Sequence, residues 1–251
     1  MGSNSAGSTV FTVDTGRFLW AVFLSCLIAE LALVYLDLTV NWLQWTELGP
    51  IQRLFNTTRE DALASWFAVT QTVFVALCAW VIYAISRNQR LSAPRRIGWL
   101  LVALVFTYLA IDDGAAVHER IGSAFKEREG GSIAFPSYAW QLVLAPVFAA
   151  MGAFLMYFLW REMPRTVDRV RLLSAMTCFA IAVAMDFVEG MDDGYPWLID
   201  TFDWDGKTIR HFSKSIEEFI EMLGMTLFLI TFLGQISRRA QEITVRFRNT
   251  T

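Results

Sequence analysis

Six apolar runs constrain this sequence more than any other feature. They cover 18–38, 62–85, 97–117, 138–160, 172–188 and 219–236. Each approaches the roughly 20 residues that an α-helix needs to cross a hydrocarbon core about 30 Å thick. Inside lipid the backbone must satisfy its own hydrogen bonds, so runs of this kind are helices. The chain is 55% hydrophobic and only 18% charged, whereas a soluble domain carries about 25% charge. A balance this apolar cannot be hidden in one globular core. The expected fold is all-α, a polytopic transmembrane bundle of about six helices. Ten tryptophans suit anchoring at the two membrane surfaces.

Three parts follow from the pattern: a flexible polar N-terminus at 1–16, a six-helix transmembrane domain at 17–238 and a tail at 239–251. The first 16 residues are too polar for the apolar stretch of a signal peptide, so the first run reads as a retained helix. Basic residues set the orientation. Arg17, then Arg87, Arg90, Arg95 and Arg96, then Arg161, Arg165, Arg169 and Arg171, then Arg238, Arg239, Arg246 and Arg248 fall on one side. By the positive-inside rule that side is cytoplasmic, and both termini with it. Cys26, Cys78 and Cys178 each lie in an apolar run without metal or disulfide spacing, and read as packing residues.

The opposite connections are longer. Residues 41–60 suggest a short surface helix, and Thr58 with Asp61 suggests a capping box opening the second span. Residues 122–135 read as a solvated loop. Asp192, Asp193, Asp200, Asp203 and Asp205 read as solvated acids of a second loop.

The acids inside the runs carry the functional argument. Measured from the nearest basic residue at the other face, Glu30, Asp112, Asp186 and Glu221 lie about 20, 24, 22 and 25 Å deep. Asp37, His118, Glu119, Glu189, Glu217 and Glu218 form a layer a turn or two further out, near Lys214, His211 and Asp113. Glu30 and Asp37 are seven apart, as are Asp112 and Glu119; Asp186 and Glu189 are three apart, as are Glu218 and Glu221. Those spacings stack side chains along one helix face.

A charge near the bilayer centre costs about 2.5–3.5 kcal/mol on insertion scales, and acids there are functional by default. Several together repel, so they need protons, bases or a bound cation. A divalent metal would compensate them. Iron, manganese or zinc would suit carboxylates joined by histidines; calcium or magnesium would suit carboxylates alone. The expected ligands are Asp112, His118, Glu119, Asp186, Glu189, His211, Glu218 and Glu221. Glu30, Asp37, Asp113, Glu217 and Lys214 are expected to support them or relay protons.

Several site chemistries do not fit. Three residues before His118 and His211 stand Ala115 and Thr208, so the Glu-x-x-His pairs of di-iron bundles are missing. Two histidines are too few for the zinc site of the ceramidase-like membrane hydrolases. There is no GxSxG, HExxH or P-loop, and neither histidine has a serine partner recognisable from the sequence. The stretches DDGAAVHERIG (112–122) and SIEEFIEMLGMTLFL (215–229) are similar to uncharacterised bacterial multi-pass inner-membrane proteins. Those proteins share an acid–His–Glu helix end and an E-E-x-x-E-M-L-G helix start. The resemblance implies a bacterial inner membrane and a shared acidic site facing the periplasm, with no activity attached.

The leading expectation is therefore a metal-binding membrane protein, extended to a metal-dependent enzyme acting on a lipophilic small molecule. The rivals are a proton- or cation-coupled transporter or channel, and an assembly subunit of a membrane complex. The bilayer is the one partner the composition demands, and no nucleic-acid partner is expected.

Overall fold

The computed structural model describes residues 13–128, 139–190, 194–203 and 205–240. Asp192 and Asp193 lie outside the described residues, as do most of the two polar ends. Every regular element among the described residues is helical. Six helices are long and apolar enough to cross a membrane: Thr15–Trp42, Leu63–Asn88, Ala93–Ala115, Val143–Glu162, Thr166–Glu189 and Gly206–Arg239. The chain is thus a polytopic membrane bundle in contact with lipid. One end of the bundle gathers the arginines and the other the carboxylates, and these serve as names for the two ends below.

Helix α1 (Thr15–Asp37) is opened by Asp14, whose carboxylate accepts the Arg17 N–H at 2.7 Å. It ends in a wider π-helical turn over Leu38–Trp42, where the Leu43 N–H reaches back to the Leu38 carbonyl. Helix α2 (Gly49–Phe55), with Pro50 in its first turn, is the expected short surface helix. Helix α3 (Leu63–Asn88) opens at Ala62 without a side-chain cap. The expected capping box does not form: Asp61 is drawn to Arg53 at 3.1 Å and Arg59 at 2.8 Å instead.

Helix α4 (Ala93–Ala115) stops where Ala116 turns left-handed, φ 47°, and its N–H bonds the Asp112 carbonyl. Helix α5 (Val117–Arg128) starts at once, so the expected loop over 122–135 is helical as far as Arg128; the rest lies outside the described residues. Helices α6 (Ala139–Glu162, with Pro146 inside), α7 (Thr166–Gly190) and the short α8 (Gly194–Phe202) follow. Helix α9 (Gly206–Arg239) is the longest, starting 13 residues before the apolar run because Asp205 caps it through the Thr208 N–H.

The core surrounds α9. Its apolar window is 61% buried, against 6% for that of the first span, which therefore lies at the periphery with its side chains to lipid. Phe106 of α4 meets Phe228 and Phe232 of α9 edge-on, with centroids 5.0 and 5.5 Å apart, and Trp99 meets Phe232 at 5.8 Å. Edge-to-face contacts of this kind fix ring orientation as well as burying area. Small residues set the helix separations: a side-chain carbon on Gly98 would collide with Phe158, and one on Gly224 would come within 2.9 Å of Phe179.

Two buried carboxylates close the arginine end. Glu162 accepts Arg95 at 2.7 Å, Arg239 at 2.6 Å and the Trp99 indole at 2.9 Å. Asp168 lies 2.6 Å from Arg238 and 3.9 Å from Arg171. These contacts tie α4, α6, α7 and α9 together at that end.

Candidate functional site

The carboxylate end is built on α7 and α9. Asp186 and Glu189 stand one turn apart on α7, Lys214 and Glu217 one turn apart on α9, and the two helices press these four side chains together. The Lys214 ammonium lies 3.5 Å from Asp186, 3.3 Å from Glu189 and 3.1 Å from Glu217. One oxygen from each of these three carboxylates lies within 4.8 Å of the others, a grouping that could hold a metal ion. Glu217 is buried, and its Oε2 has no hydrogen-bond partner among the described residues. Glu218 and Glu221, further along α9, and Asp113 at the end of α4 are near enough that their charges act on one another and on Glu217. In this group acids outnumber bases among the described residues.

A second group forms on Asp37, which is 1% exposed. The π-helical turn after α1 brings Asn41 back to its Oδ1 at 2.9 Å. Its Oδ2 accepts Ser215 at 3.0 Å and Thr57 at 3.2 Å, and lies 3.3 Å from His211 Nε2. Trp42 stacks on the His211 ring, centroids 5.4 Å apart. A serine partner near His211 thus exists in space, although the sequence did not reveal it. The hub is the carboxylate, however, not the imidazole. Serine, histidine and aspartate meet here without the serine–imidazole bond that would activate a nucleophile.

A third group is created by the α4–α5 break. The left-handed Ala116 swings His118 over the helix end, so that Asp112 accepts the His118 backbone N–H at 2.8 Å and its ring Nδ1 at 2.9 Å. Burial alone would lower the affinity of this imidazole for a proton. The Asp112 hydrogen bond and charge outweigh it, helped by Glu119 and Asp186, and His118 titrates above its ordinary range. Beside it Glu60 lies close to Glu119. Partial burial and then the Glu119 charge raise the Glu60 carboxyl, while Arg120 and His118 pull the other way.

Glu30 lies apart. It is fully buried, and Oε1 accepts Gln71 at 2.9 Å and Thr226 at 2.6 Å, with Gln71 also 2.7 Å from Thr226. Glu30 Oε2 and Gln71 Oε1 have no hydrogen-bond partner among the described residues.

The expected residues are therefore distributed over four groups. Asp186 and Glu189 stand together with Glu217 and Lys214, adjoined by Glu218, Glu221 and Asp113; Asp112 holds His118; Asp37 holds His211; Glu30 is deeper and separate. Sequence reasoning left out Asn41, Thr57, Ser215 and Thr226, which orient these acids, and Glu60. Ser215, four residues after His211, was within reach by helical spacing; the others carry no signal that distinguishes them from ordinary polar residues. Asp200 and Asp203 are exposed, as expected of solvated acids, but Asp200 lies in helix α8 and not in a loop, and Asp205 caps α9.

Neither a curated protein nor a solved structure matches this chain. A family model does match, over residues 11–236, and it takes in five spans, the sixth as far as Ile236, and all four carboxylate groups. The chain belongs to the family described as Domain of unknown function (DUF8692).

Proposed function

We propose that the carboxylate end binds a divalent cation at Asp186, Glu189 and Glu217, a position the Lys214 ammonium otherwise fills. One observation carries this: three carboxylate oxygens from two helices already lie within 4.8 Å of one another around a positive charge. Calcium–oxygen bonds of about 2.3–2.6 Å allow opposed ligand oxygens to stand about 5 Å apart, so a cation of that size fits without moving a helix. The donors are all carboxylate, because His118 and His211 are bonded to Asp112 and Asp37. That set favours calcium, magnesium or manganese over zinc or copper.

A bound cation would supply charge neutralisation and water activation. Glu218 and Glu221 sit beside it and would accept or return protons. The extension of this reading is an enzyme acting on a membrane-soluble substrate. The arginine excess supports a reading in which the carboxylate end faces outside, towards the periplasm of a bacterial inner membrane.

Metal-stripped protein in detergent, titrated with Ca2+ and Mn2+ by calorimetry, tests the site. One saturable site is expected, lost in Glu217→Gln and kept in Glu47→Gln, an exposed acid outside the four groups. Absence of any saturable site in the wild type, or equal loss in both variants, rules the reading out.

A second reading rests on Glu30 Oε2 and Gln71 Oε1, two buried acceptors without a donor among the described residues. Thr226, which joins their group, is about 7–8 Å deeper along α9 than Glu221. A proton or cation moving inward from the carboxylate end would meet this group next. Ion flux in proteoliposomes that is indifferent to Glu30→Gln would remove this alternative.

A further inference from the structure

We propose that the cleft at the start of α9 binds the headgroup of an anionic phospholipid. The cleft has a volume of about 690 Å³ and is lined by Thr58, Glu189, Gly206, Lys207, Arg210, His211 and Lys214. Four of these, at 207, 210, 211 and 214, follow the i, i+3, i+4, i+7 pattern and so share one face of the first two turns of α9. Glu189 is the one acid of the lining among the described residues, and Lys214 stands 3.3 Å from it. Lys207 and Arg210 are exposed and make no ion pair among the described residues. The cleft thus presents two exposed cations that no described acid pairs. A phosphodiester offers the complementary charge and acceptor oxygens.

Depth selects a lipid as the source of that phosphate. From Arg238 back to Arg210, α9 rises about 42 Å, against about 40–45 Å for a bilayer with its headgroups. Arg210 thus stands at headgroup level when Arg238 stands at the opposite surface. Helix α8 flanks the cleft, with Ile199 against Gly206, and it exposes Trp197 and Phe202, residue types that settle at a bilayer interface. Cationic side chains near such a surface attract anionic lipid. The site shares Glu189 and Lys214 with the proposed cation centre and stands without a metal.

The test uses full-length protein in detergent with excess chelator, so that its outcome is separate from that of cation binding. Native mass spectrometry would compare retention of phosphatidylglycerol and phosphatidylcholine. The wild type is expected to prefer the anionic lipid, and the double variant Lys207→Glu/Arg210→Glu to lose about tenfold in that preference. If the double variant does not fold, Lys207→Gln/Arg210→Gln replaces it. Arg128→Glu, an exposed position on α5 outside the cleft, is expected to leave the preference intact. An unchanged preference in the cleft variants, or equal loss with Arg128→Glu, overturns the proposal. So does displacement of the lipid by glycerol phosphate at matched concentration, which would make a soluble phosphate the ligand.

Discussion

The two ends of the bundle both bury acids, and they treat them in opposite ways. At the arginine end Glu162 is met by Arg95, Arg239 and Trp99, and Asp168 by Arg238 and Arg171. Each negative charge there has at least one guanidinium of its own. At the carboxylate end one ammonium, Lys214, serves Asp186, Glu189 and Glu217 together, while Glu218, Glu221 and Asp113 add further acid. A buried acid with its charge matched is a clamp between helices. A buried group of acids that share one ammonium among the described residues is a place for protons or a cation. The balance of charge, more than burial, separates structure from site.

That contrast can be broken by unfolding measurements on paired variants. Removing one partner of a buried, fully paired ion cluster costs about 3–5 kcal/mol, because the remaining charges are stranded. Glu162→Ala is expected to lie in that range by chemical denaturation in detergent, since Arg239 and Arg95 lose their shared acceptor. Glu217→Gln is expected to be neutral or to stabilise the cation-free protein by about 1 kcal/mol, because it relieves repulsion among carboxylates. Equal destabilisation by the two would mean that the carboxylate end is as structural as the other.

Lys214 sharpens the comparison with the next-largest effect. In Lys214→Met the three carboxylates lose the charge they converge on. Without divalent cation this variant is expected to be less stable than wild type by about 2 kcal/mol. Added Ca2+ is expected to restore stability, and to bind roughly tenfold more tightly than in wild type, since no ammonium must be displaced. If Ca2+ affinity falls instead, Lys214 supports the cation and does not compete with it.

The apolar runs made the six spans legible, because lipid leaves the backbone no alternative to helix. What escaped was the polar beginning of α9. Residues 206–218 carry Lys207, Arg210, Lys214, Glu217 and Glu218, and packing against α7, α8 and the end of α1 makes a helix of that composition part of the bundle. Depth along each helix was also legible. Counting from the arginines put Glu30, Asp112, Asp186 and Glu221 at one level, whereas Glu30 bonds Thr226, about 7–8 Å deeper along α9 than Glu221, and counting could not tell which side of its helix each faces. Packing turns Glu30 toward Gln71 and Thr226, and Asp112 toward His118. Counting also put Lys214 toward the outer edge; its long side chain lies among the acids instead. The left-handed residue at Ala116, which brings His118 onto Asp112, carries no glycine to announce it.

His118 gives the smallest effect and tests whether the Asp112 pair belongs with the clamps or with the site. Its affinity for a proton is raised in the folded chain, by the Asp112 hydrogen bond and by the charges of Asp112, Glu119 and Asp186, against the opposing influence of burial. Folding therefore favours the imidazolium. The stabilisation is complete below about pH 6.5, the ordinary value for histidine, and is lost as pH rises through the raised folded value. Thermal midpoints are expected to fall by a few degrees across that window, and the slope to flatten in His118→Gln. Asp113 and Glu60 also face this ring, so the slope belongs to His118 only to the extent that the variant removes it. A wild-type midpoint that rises over the same window would mean that the ring is held neutral. Asp112 and His118 would then be a helix cap without a charge between them, and the unmatched charge at this end would be larger still.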